Sequence, residues 1–130
     1  MSDLGLYPVE RILEENGSLT VFEQGGVPFE VKRVFVVEAP VGQTRGQHAH
    51  RTCQQFLWVI TGRVSVEVDA GRAEFRYELE PNGDGLLIPP LMWARQTYLL
   101  PLTRLLVACD QRFSEDDYIR DHQTFLNLIE

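Results

Sequence analysis

The chain has 130 residues, of which 44% are hydrophobic and 24% are charged. This composition suits a single domain over residues 1–130 with a core of ordinary size. The net charge of −7 at pH 7 excludes a general nucleic-acid binder, although local arginines can still form a site for an anionic small molecule. Residues 1–20 lack the basic and apolar regions of a signal peptide, and no apolar run approaches the roughly 18 residues of a membrane span. We therefore expect a cytoplasmic protein without membrane or nucleic-acid partners.

Most of the chain alternates apolar and polar side chains, and this period of two indicates β-strands. Gly62, the segment 69–71 and the segment 80–85 are typical of turns between them. Many short strands separated by such turns predict a β-sandwich or barrel. In chain order, the strand-like segments are 19–22, 31–37, 55–61, 63–69, 73–79, 86–88, 96–100 and 104–109.

The C-terminal segment changes to a helical period. Ser114 precedes three acidic residues, 115–117, as an N-cap precedes an acidic first turn. Apolar side chains then recur at roughly helical spacing through Phe125 and Ile129. The pattern predicts one helix that follows Ser114 and packs on the outside of the barrel, with His122 in a structural or solvated position.

Two histidines separated by one residue, His48 and His50, form the most informative motif of the chain. On a β-strand both side chains project to the same face, while Ala49 projects to the other. Two imidazoles that converge on one cavity suit either metal binding or proton transfer near neutral pH.

The spacing around these histidines resembles the first cupin motif, which Gly42 opens and Gly62 closes. Gln55 stands where that motif has a metal-binding glutamate, and in the second motif, at 83–94, Ala94 replaces the histidine. A neutral amide is a poor substitute for a carboxylate ligand, and alanine has no donor atom. The resemblance implies an all-β cupin fold, a double-stranded β-helix or jelly-roll barrel. The two replacements predict that it holds no metal or other cofactor.

Five further segments form a second pattern, which extends from about Gly17 to the C-terminus: 17–19 (GSL), 28–34 (PFEVKRV), 45–50 (RGQHAH), 90–93 (PLMW) and 116–120 (DDYIR). These segments resemble the dTDP-4-oxo-6-deoxyglucose 3,4-ketoisomerases, which are metal-free cupin dimers of deoxysugar biosynthesis. The histidine segment together with the tail segment is more specific than either alone.

This resemblance implies an isomerase that moves a keto group between C4 and C3 of a dTDP-4-oxo-6-deoxyhexose through an enediol, in the biosynthesis of O-antigen, S-layer or antibiotic glycans. It implies that His48 and His50 carry the proton and that Arg33 and Arg45 bind the diphosphate. An imidazole with its usual pKa of about 6.5 can take and return a proton at neutral pH. We assign the C3 proton to His48. The family also implies a homodimer.

Four further residues are candidates for the substrate site. Gln55 is expected to hydrogen-bond an imidazole and fix its tautomer. Trp93 is a candidate for the pocket mouth, Arg95 for anion binding and Tyr98 for a phenol that contacts the sugar. The alternatives stay open: a tryptophan or tyrosine can belong to the core, and an arginine can pair with surface acids.

Two departures from the family keep other functions open. The family commonly has a tyrosine just after the KRV segment, whereas this chain has Phe35 and Val36, which cannot carry a proton, so a non-catalytic cupin that binds sugar nucleotides is one alternative. The family often has a histidine after the motif tryptophan, whereas Ala94 stands there in this chain, so a related isomerase with a different sugar is another. A degenerate metal cupin, similar to a dioxygenase, is disfavoured by Gln55 and Ala94.

Overall fold

The computed structural model describes residues 2–130, which form twelve β-strands and one α-helix. A 3-10 helix, Glu115–Asp117, precedes the last strand, and the α-helix, α1, spans His122–Ile129. The strands are β1 (Gly5–Tyr7), β2 (Glu10–Glu14), β3 (Gly17–Val21), β4 (Arg33–Glu38), β5 (Thr44–His50), β6 (Gln55–Thr61), β7 (Val64–Asp69), β8 (Glu74–Leu79), β9 (Gly85–Ile88), β10 (Trp93–Tyr98), β11 (Arg104–Cys109) and β12 (Tyr118–Ile119).

Two five-stranded antiparallel sheets form the barrel. One sheet has the order β1-β9-β6-β11-β4 and the other β12-β5-β10-β7-β8. Their inner faces share one apolar core, to which the first sheet contributes Leu57 and Leu105 and the second Val66 and Tyr98. This arrangement confirms the predicted all-β barrel. β1, β2, β5 and β12 lie outside the strand-like segments that the alternation predicted, although the interpretation of His48 and His50 already assumed a strand at β5.

The strict alternation of β7 explains why this segment is a strand inside the barrel. Val64, Val66 and Val68 are fully buried, and each contributes roughly 1.5–3 kcal/mol through burial of its side chain. The turn before β7 needs a glycine, because Gly62 has a φ of 87° and a Cβ there would lie 2.0 Å from the hydroxyl oxygen of Thr103.

The predicted start of the C-terminal helix is wrong. The side chain of Ser114 caps nothing, and the residues after it form the 3-10 helix and then β12, which pairs with β5. The α-helix begins only at His122, where the carboxylate of Asp121 accepts a hydrogen bond from the backbone N–H of Thr124 at 2.9 Å. Phe125 then anchors this helix by packing, fully buried, against Ala49 and Ile119.

The cysteines and the helix length agree with two expectations from the sequence. Cys53 and Cys109 are free, buried thiols, as the low cysteine count predicted. The helix α1 has eight residues, and within residues 2–130 no helix has the length and apolar character that crossing a membrane requires.

Candidate active site

A β-bulge in β5 directs the two histidines into the barrel. Ala94 of β10 lies opposite His48, but Gln96 lies opposite Arg45, so β5 has one extra residue between these pairs. Gly46 lies in this bulge with a φ of 69°, and a Cβ there would come within 2.8 Å of the amide nitrogen of Gln96. Bulges of this kind bend a strand and re-aim its side chains next to active sites.

The histidines form an aromatic cluster with Tyr118. The ring centroids of His48 and His50 are 4.9 Å apart, and the Tyr118 ring lies 5.0 Å from the first and 4.4 Å from the second. The hydroxyl of Tyr118 accepts a hydrogen bond from the Arg33 guanidinium at 3.3 Å, and the Arg120 guanidinium lies 4.3 Å from the centre of the ring. Sequence reasoning missed Tyr118 as a site residue, although it belongs to the DDYIR block.

Asp117 orients His50. Its buried carboxylate accepts hydrogen bonds from Nδ1 of His50 at 2.9 Å, from the backbone and hydroxyl of Thr52 at 2.8 Å each, and from the backbone of Cys53 at 3.3 Å. An acceptor at Nδ1 holds the proton on that nitrogen and leaves Nε2 with a free lone pair. Nε2 is buried and has no hydrogen-bond partner among residues 2–130. It is therefore ready to accept a proton.

Burial and neighbouring charges keep both imidazoles neutral. Burial lowers the pKa of His48 to about 4, with smaller contributions from His50 and Arg120. Burial also lowers the pKa of His50, against the opposing hydrogen bond to Asp117. Burial alone would raise the pKa of Asp117, but hydrogen bonds from Thr52 and His50 outweigh it and lower that pKa. At neutral pH the site therefore combines two neutral imidazoles with one carboxylate.

A cavity of ≈ 530 Å³ opens beside His48 and carries positive charge. Arg33, Arg45 and Arg120 line it, and Arg120 is paired with Glu115 through two hydrogen bonds of 2.7 and 3.0 Å. Neither Arg33 nor Arg45 forms an ion pair with a carboxylate of residues 2–130. Two uncompensated guanidinium groups in an acidic chain suit an anionic ligand.

Gln55 lines the cavity beside His48, but it does not hydrogen-bond an imidazole as expected. Its amide nitrogen contacts the sulfur of Cys109 at 3.7 Å instead. The reason is the register, because Gln55 lies directly opposite Cys109 in the pairing of β6 with β11.

The other three candidate residues lie outside the cavity. Alternation along β10 turns Ala94, Gln96 and Tyr98 inward, so Trp93 and Arg95 face outward. These two residues line a different cleft of ≈ 570 Å³, where Trp93 packs against the helix α1 and Arg95 pairs with Glu67 at 2.8 Å. Tyr98 points inward but lies behind the cavity wall: it is fully buried, and its hydroxyl donates to the side-chain oxygen of Gln96 at 2.9 Å.

Among residues 2–130, one group of side chains has donor atoms close enough together to be considered as metal ligands. The donor atoms of His50, Cys53 and Asp117 lie within 4.8 Å of one another. The oxygens of Asp117, however, already accept hydrogen bonds from His50, Thr52 and the Cys53 backbone. Both carboxylate oxygens are therefore occupied as hydrogen-bond acceptors and are not free to bind an ion.

The family model described as FdtA: WxcM-like, C-terminal, matches residues 2–130. The chain belongs to this family. A curated relative, the TDP-4-oxo-6-deoxy-alpha-D-glucose-3,4-oxoisomerase of Aneurinibacillus thermoaerophilus, is 29% identical over 122 residues, which are 92% of this chain and 88% of the relative.

Solved structures agree with this assignment. A histidine-to-asparagine variant of the 3,4-ketoisomerase QdtA from Thermoanaerobacterium thermosaccharolyticum, in complex with TDP-4-keto-6-deoxyglucose, superposes with a TM-score of 0.92 at 27% identity and covers 99% of this chain and 95% of its own. The TDP-quinovose 3,4-ketoisomerase WlaRB from Campylobacter jejuni superposes with a TM-score of 0.90 at 27% identity, covering 98% and 99%. These similarities confirm the resemblance that the sequence motifs indicated and the cupin barrel that it implied.

Proposed function

We propose that the protein is a nucleotide-sugar isomerase that moves the keto group of a dTDP-4-oxo-6-deoxyhexose from C4 to C3, in deoxysugar biosynthesis. The observation that carries this proposal is the pair of neutral imidazoles, 4.9 Å apart, beside a cavity with two uncompensated arginines. The Asp117–His50 hydrogen bond supports it, because it leaves one imidazole with a free lone pair. The curated relative and QdtA, which are similar to this chain, have names that describe this reaction.

The isomerisation moves one proton from C3 to C4, and it consumes no oxidant or reductant. A neutral imidazole removes the C3 proton, the C–H electron pair forms the C3–C4 double bond, and the ketone electrons move to O4. A proton on O4 completes the enediol. Loss of the O3 proton and addition of a proton at C4 then give the 3-oxo sugar. We assign the first step to His48, which faces the cavity, and the proton relay to His50, which Asp117 holds behind it.

Arg33 and Arg45 are proposed to bind the diphosphate of the substrate. Both line the cavity, and neither is neutralised by a carboxylate among residues 2–130. A guanidinium can bind phosphate oxygens in a bidentate way, which adds orientation to charge attraction. Phosphates at this mouth would leave the sugar ring next to His48.

The chain has three histidines, two in the site and one outside it, and this allows a controlled test. We expect His48→Asn and His50→Asn each to lower turnover of dTDP-4-oxo-6-deoxyglucose, followed by NMR, by at least about 10²-fold, the lower range for loss of a general base. His122→Asn is the matched control, because His122 lies on the exposed face of α1 and pairs with Asp69. Turnover that is unchanged in both active-site variants would contradict the proposal, and binding without turnover in the wild type would favour a sugar-nucleotide-binding cupin.

We also propose that the reaction needs no metal. Gln55 and Ala94 stand at two ligand positions of metal cupins, and the Asp117 oxygens are already used by hydrogen bonds. The purified protein should hold no stoichiometric divalent ion and should keep its turnover in EDTA. One equivalent of tightly bound metal whose removal abolishes turnover would contradict this.

We propose that each single-domain chain pairs with a second copy in a homodimer. The β2–β3 hairpin pairs with no other strand of residues 2–130 and exposes Ile12, Leu13 and Leu19, while the edge strand β4 exposes Val34 and Val36. An isolated hairpin is marginally stable in water, so these apolar surfaces suit a partner subunit. Light scattering should give twice the chain mass, and Leu13→Asp should shift the protein toward the monomer. A wild type that is monomeric at micromolar concentration would contradict the proposal.

We also propose a cytoplasmic location. Cys53 and Cys109 are free and buried, and unpaired thiols are typical of proteins in a reducing compartment.

A further inference from the structure

A buried amide lies in the wall between the cavity and the core. Gln96 is only 7% exposed, and its side chain lines both the cavity of ≈ 530 Å³ and a smaller space behind it that His48 and His50 also line. A buried amide needs partners for its polar atoms, because an unsatisfied donor or acceptor costs about 1–3 kcal/mol. The role of Gln96 therefore depends on which atom faces the cavity.

Tyr98 contacts the oxygen of this amide from the core side. Its hydroxyl donates to Oε1 of Gln96 at 2.9 Å, so Oε1 is satisfied on the core side. Nε2 lies on the other side, next to Gly46 of the bulge, and it donates to no residue among 2–130. The absence of a side chain at Gly46 leaves the space that this nitrogen occupies, since a Cβ would come within 2.8 Å of it. Burial raises the pKa of Tyr98 to about 12, so its hydroxyl keeps the proton that it donates at neutral pH.

We propose that Gln96 is a catalytic residue that donates its amide N–H to O4 of the sugar, and that Tyr98 is a positioning residue that holds the amide in this orientation. The inference rests on the proposed function. Removal of the C3 proton moves an electron pair to O4, and a donor fixed beside that oxygen stabilises the developing negative charge. Gln96 gives up no proton, so it changes the barrier without entering the proton balance between His48, His50 and the sugar.

The placement of Gln96 fits this role. It shares the inward face of β10 with Ala94, the residue opposite His48, so the amide and the imidazole approach the same space from neighbouring strands. The imidazole of His50 is hydrogen-bonded to the buried Asp117, and the amide of Gln96 is hydrogen-bonded to the buried Tyr98. Each of the two side chains therefore has a buried partner that sets its orientation. Preorganised donors of this kind need no rearrangement when charge develops.

The test uses the full-length protein with dTDP-4-oxo-6-deoxyglucose as substrate and TDP as the binding probe. Gln96→Met keeps an unbranched side chain of similar length but removes the donor. We expect kcat to fall about 10²–10³-fold, the range for loss of one oxyanion donor, while the Kd for TDP stays within about twofold of wild type. Thr97→Val, at the adjacent outward position of β10, is the matched control and should keep the wild-type kcat.

The role of Tyr98 has its own readout. Tyr98→Phe should lower kcat about tenfold with an unchanged Kd for TDP, because the amide is then free to rotate. In the Gln96→Met background the same change should have no further effect on kcat, since the donor it positions is already gone. A merely structural role would lower the melting temperature in both backgrounds and leave kcat unaffected well below it, and that result would overturn the inference.

Two further outcomes are decisive. If Gln96→Met fails to fold, Gln96→Leu replaces it, because leucine also removes the donor and brings no charge into the site. Lost turnover with retained TDP binding then supports the inference, and wild-type turnover overturns it. A wild-type protein that isomerises no 4-oxo sugar would overturn the proposed function and this inference together, whereas an active wild type with a fully active Gln96→Met variant would overturn this inference alone.

Discussion

Asp117→Asn is the substitution that tests the proton-transfer site most sharply. The carboxylate accepts four hydrogen bonds, of which the one from Nδ1 of His50 at 2.9 Å sets the tautomer. An amide that keeps its oxygen on the Thr52 side presents an NH₂ group to His50, so the imidazole proton must move to Nε2. An Nε2 that already carries a proton cannot accept another one in the relay that we assign to His50. We therefore expect turnover to fall at least about 10²-fold, as in other enzymes whose histidine loses the correct tautomer.

Asp117→Asn should also lower the stability of the fold. It removes one or more hydrogen bonds to a buried charged group, each of which is worth about 1.5–3 kcal/mol, so the free energy of unfolding in urea should fall by about that amount. The folded-state pKa of Asp117 is below its usual value. Its stabilisation is therefore fully present above the unfolded pKa of about 3.9 and is lost only as the pH falls through the lower folded value. The difference between variant and wild type should be constant from about pH 5 to 8.

Asp116→Asn is the matched control, because Asp116 is the exposed neighbour in the same 3-10 helix. It should keep wild-type turnover and stability. Wild-type turnover in Asp117→Asn, measured at a temperature where the variant is folded, would refute the argument that the carboxylate fixes the reactive tautomer of His50.

Arg33→Ala and Arg45→Ala should each weaken TDP binding in calorimetry by about 1.5–3 kcal/mol, whereas Arg95→Ala, outside the cavity, should not; equal affinities in all three would contradict diphosphate binding by the first two. Because burial lowers the pKa of His48 to about 4, kcat/KM should hold as the pH falls through 6.5 and decline only as this base becomes protonated below about pH 5; an acid limb at 6.5 or above would argue against a buried base. Phe125→Ala should cost about 3–5 kcal/mol in urea unfolding, and a smaller loss than about 1 kcal/mol would show that α1 does not depend on this anchor.

The strands and the histidine pair could be predicted because their information is local. A period of two locates most strands of the barrel, although it misses the short strands β1 and β12 and the hairpin strand β2. It also puts His48 and His50 on one face without knowledge of the fold. The same rule, applied along β10, separates the inward residues Gln96 and Tyr98 from the outward residues Trp93 and Arg95. Trp93 lies within the second motif and Arg95 directly after it, which made both candidates for the substrate site. The alternation along β10 shows why that proximity in sequence misleads.

The partners of the histidines could not be predicted, because they come from distant segments. Asp117 lies 67 residues from His50 and meets it only when β12 adds to the edge of β5. Its run of acidic residues resembles the first turn of a helix, and local pattern cannot distinguish that from a carboxylate directed at a buried imidazole. Gln55 was expected to orient an imidazole, but register with β11 gives it Cys109 as a partner, and Asp117 takes that role instead.

The central claim is that this protein carries a proton from C3 to C4 of a 4-oxo sugar. The most direct test is to incubate the wild-type protein with dTDP-4-oxo-6-deoxyglucose in D₂O and to follow the sugar by NMR. Imidazoles that exchange their protons with solvent should give a dTDP-3-oxo-6-deoxyhexose with deuterium at C4, and exchange at C3 of the remaining substrate. A wild-type protein that binds the nucleotide sugar but forms no 3-oxo product and incorporates no deuterium would contradict the claim.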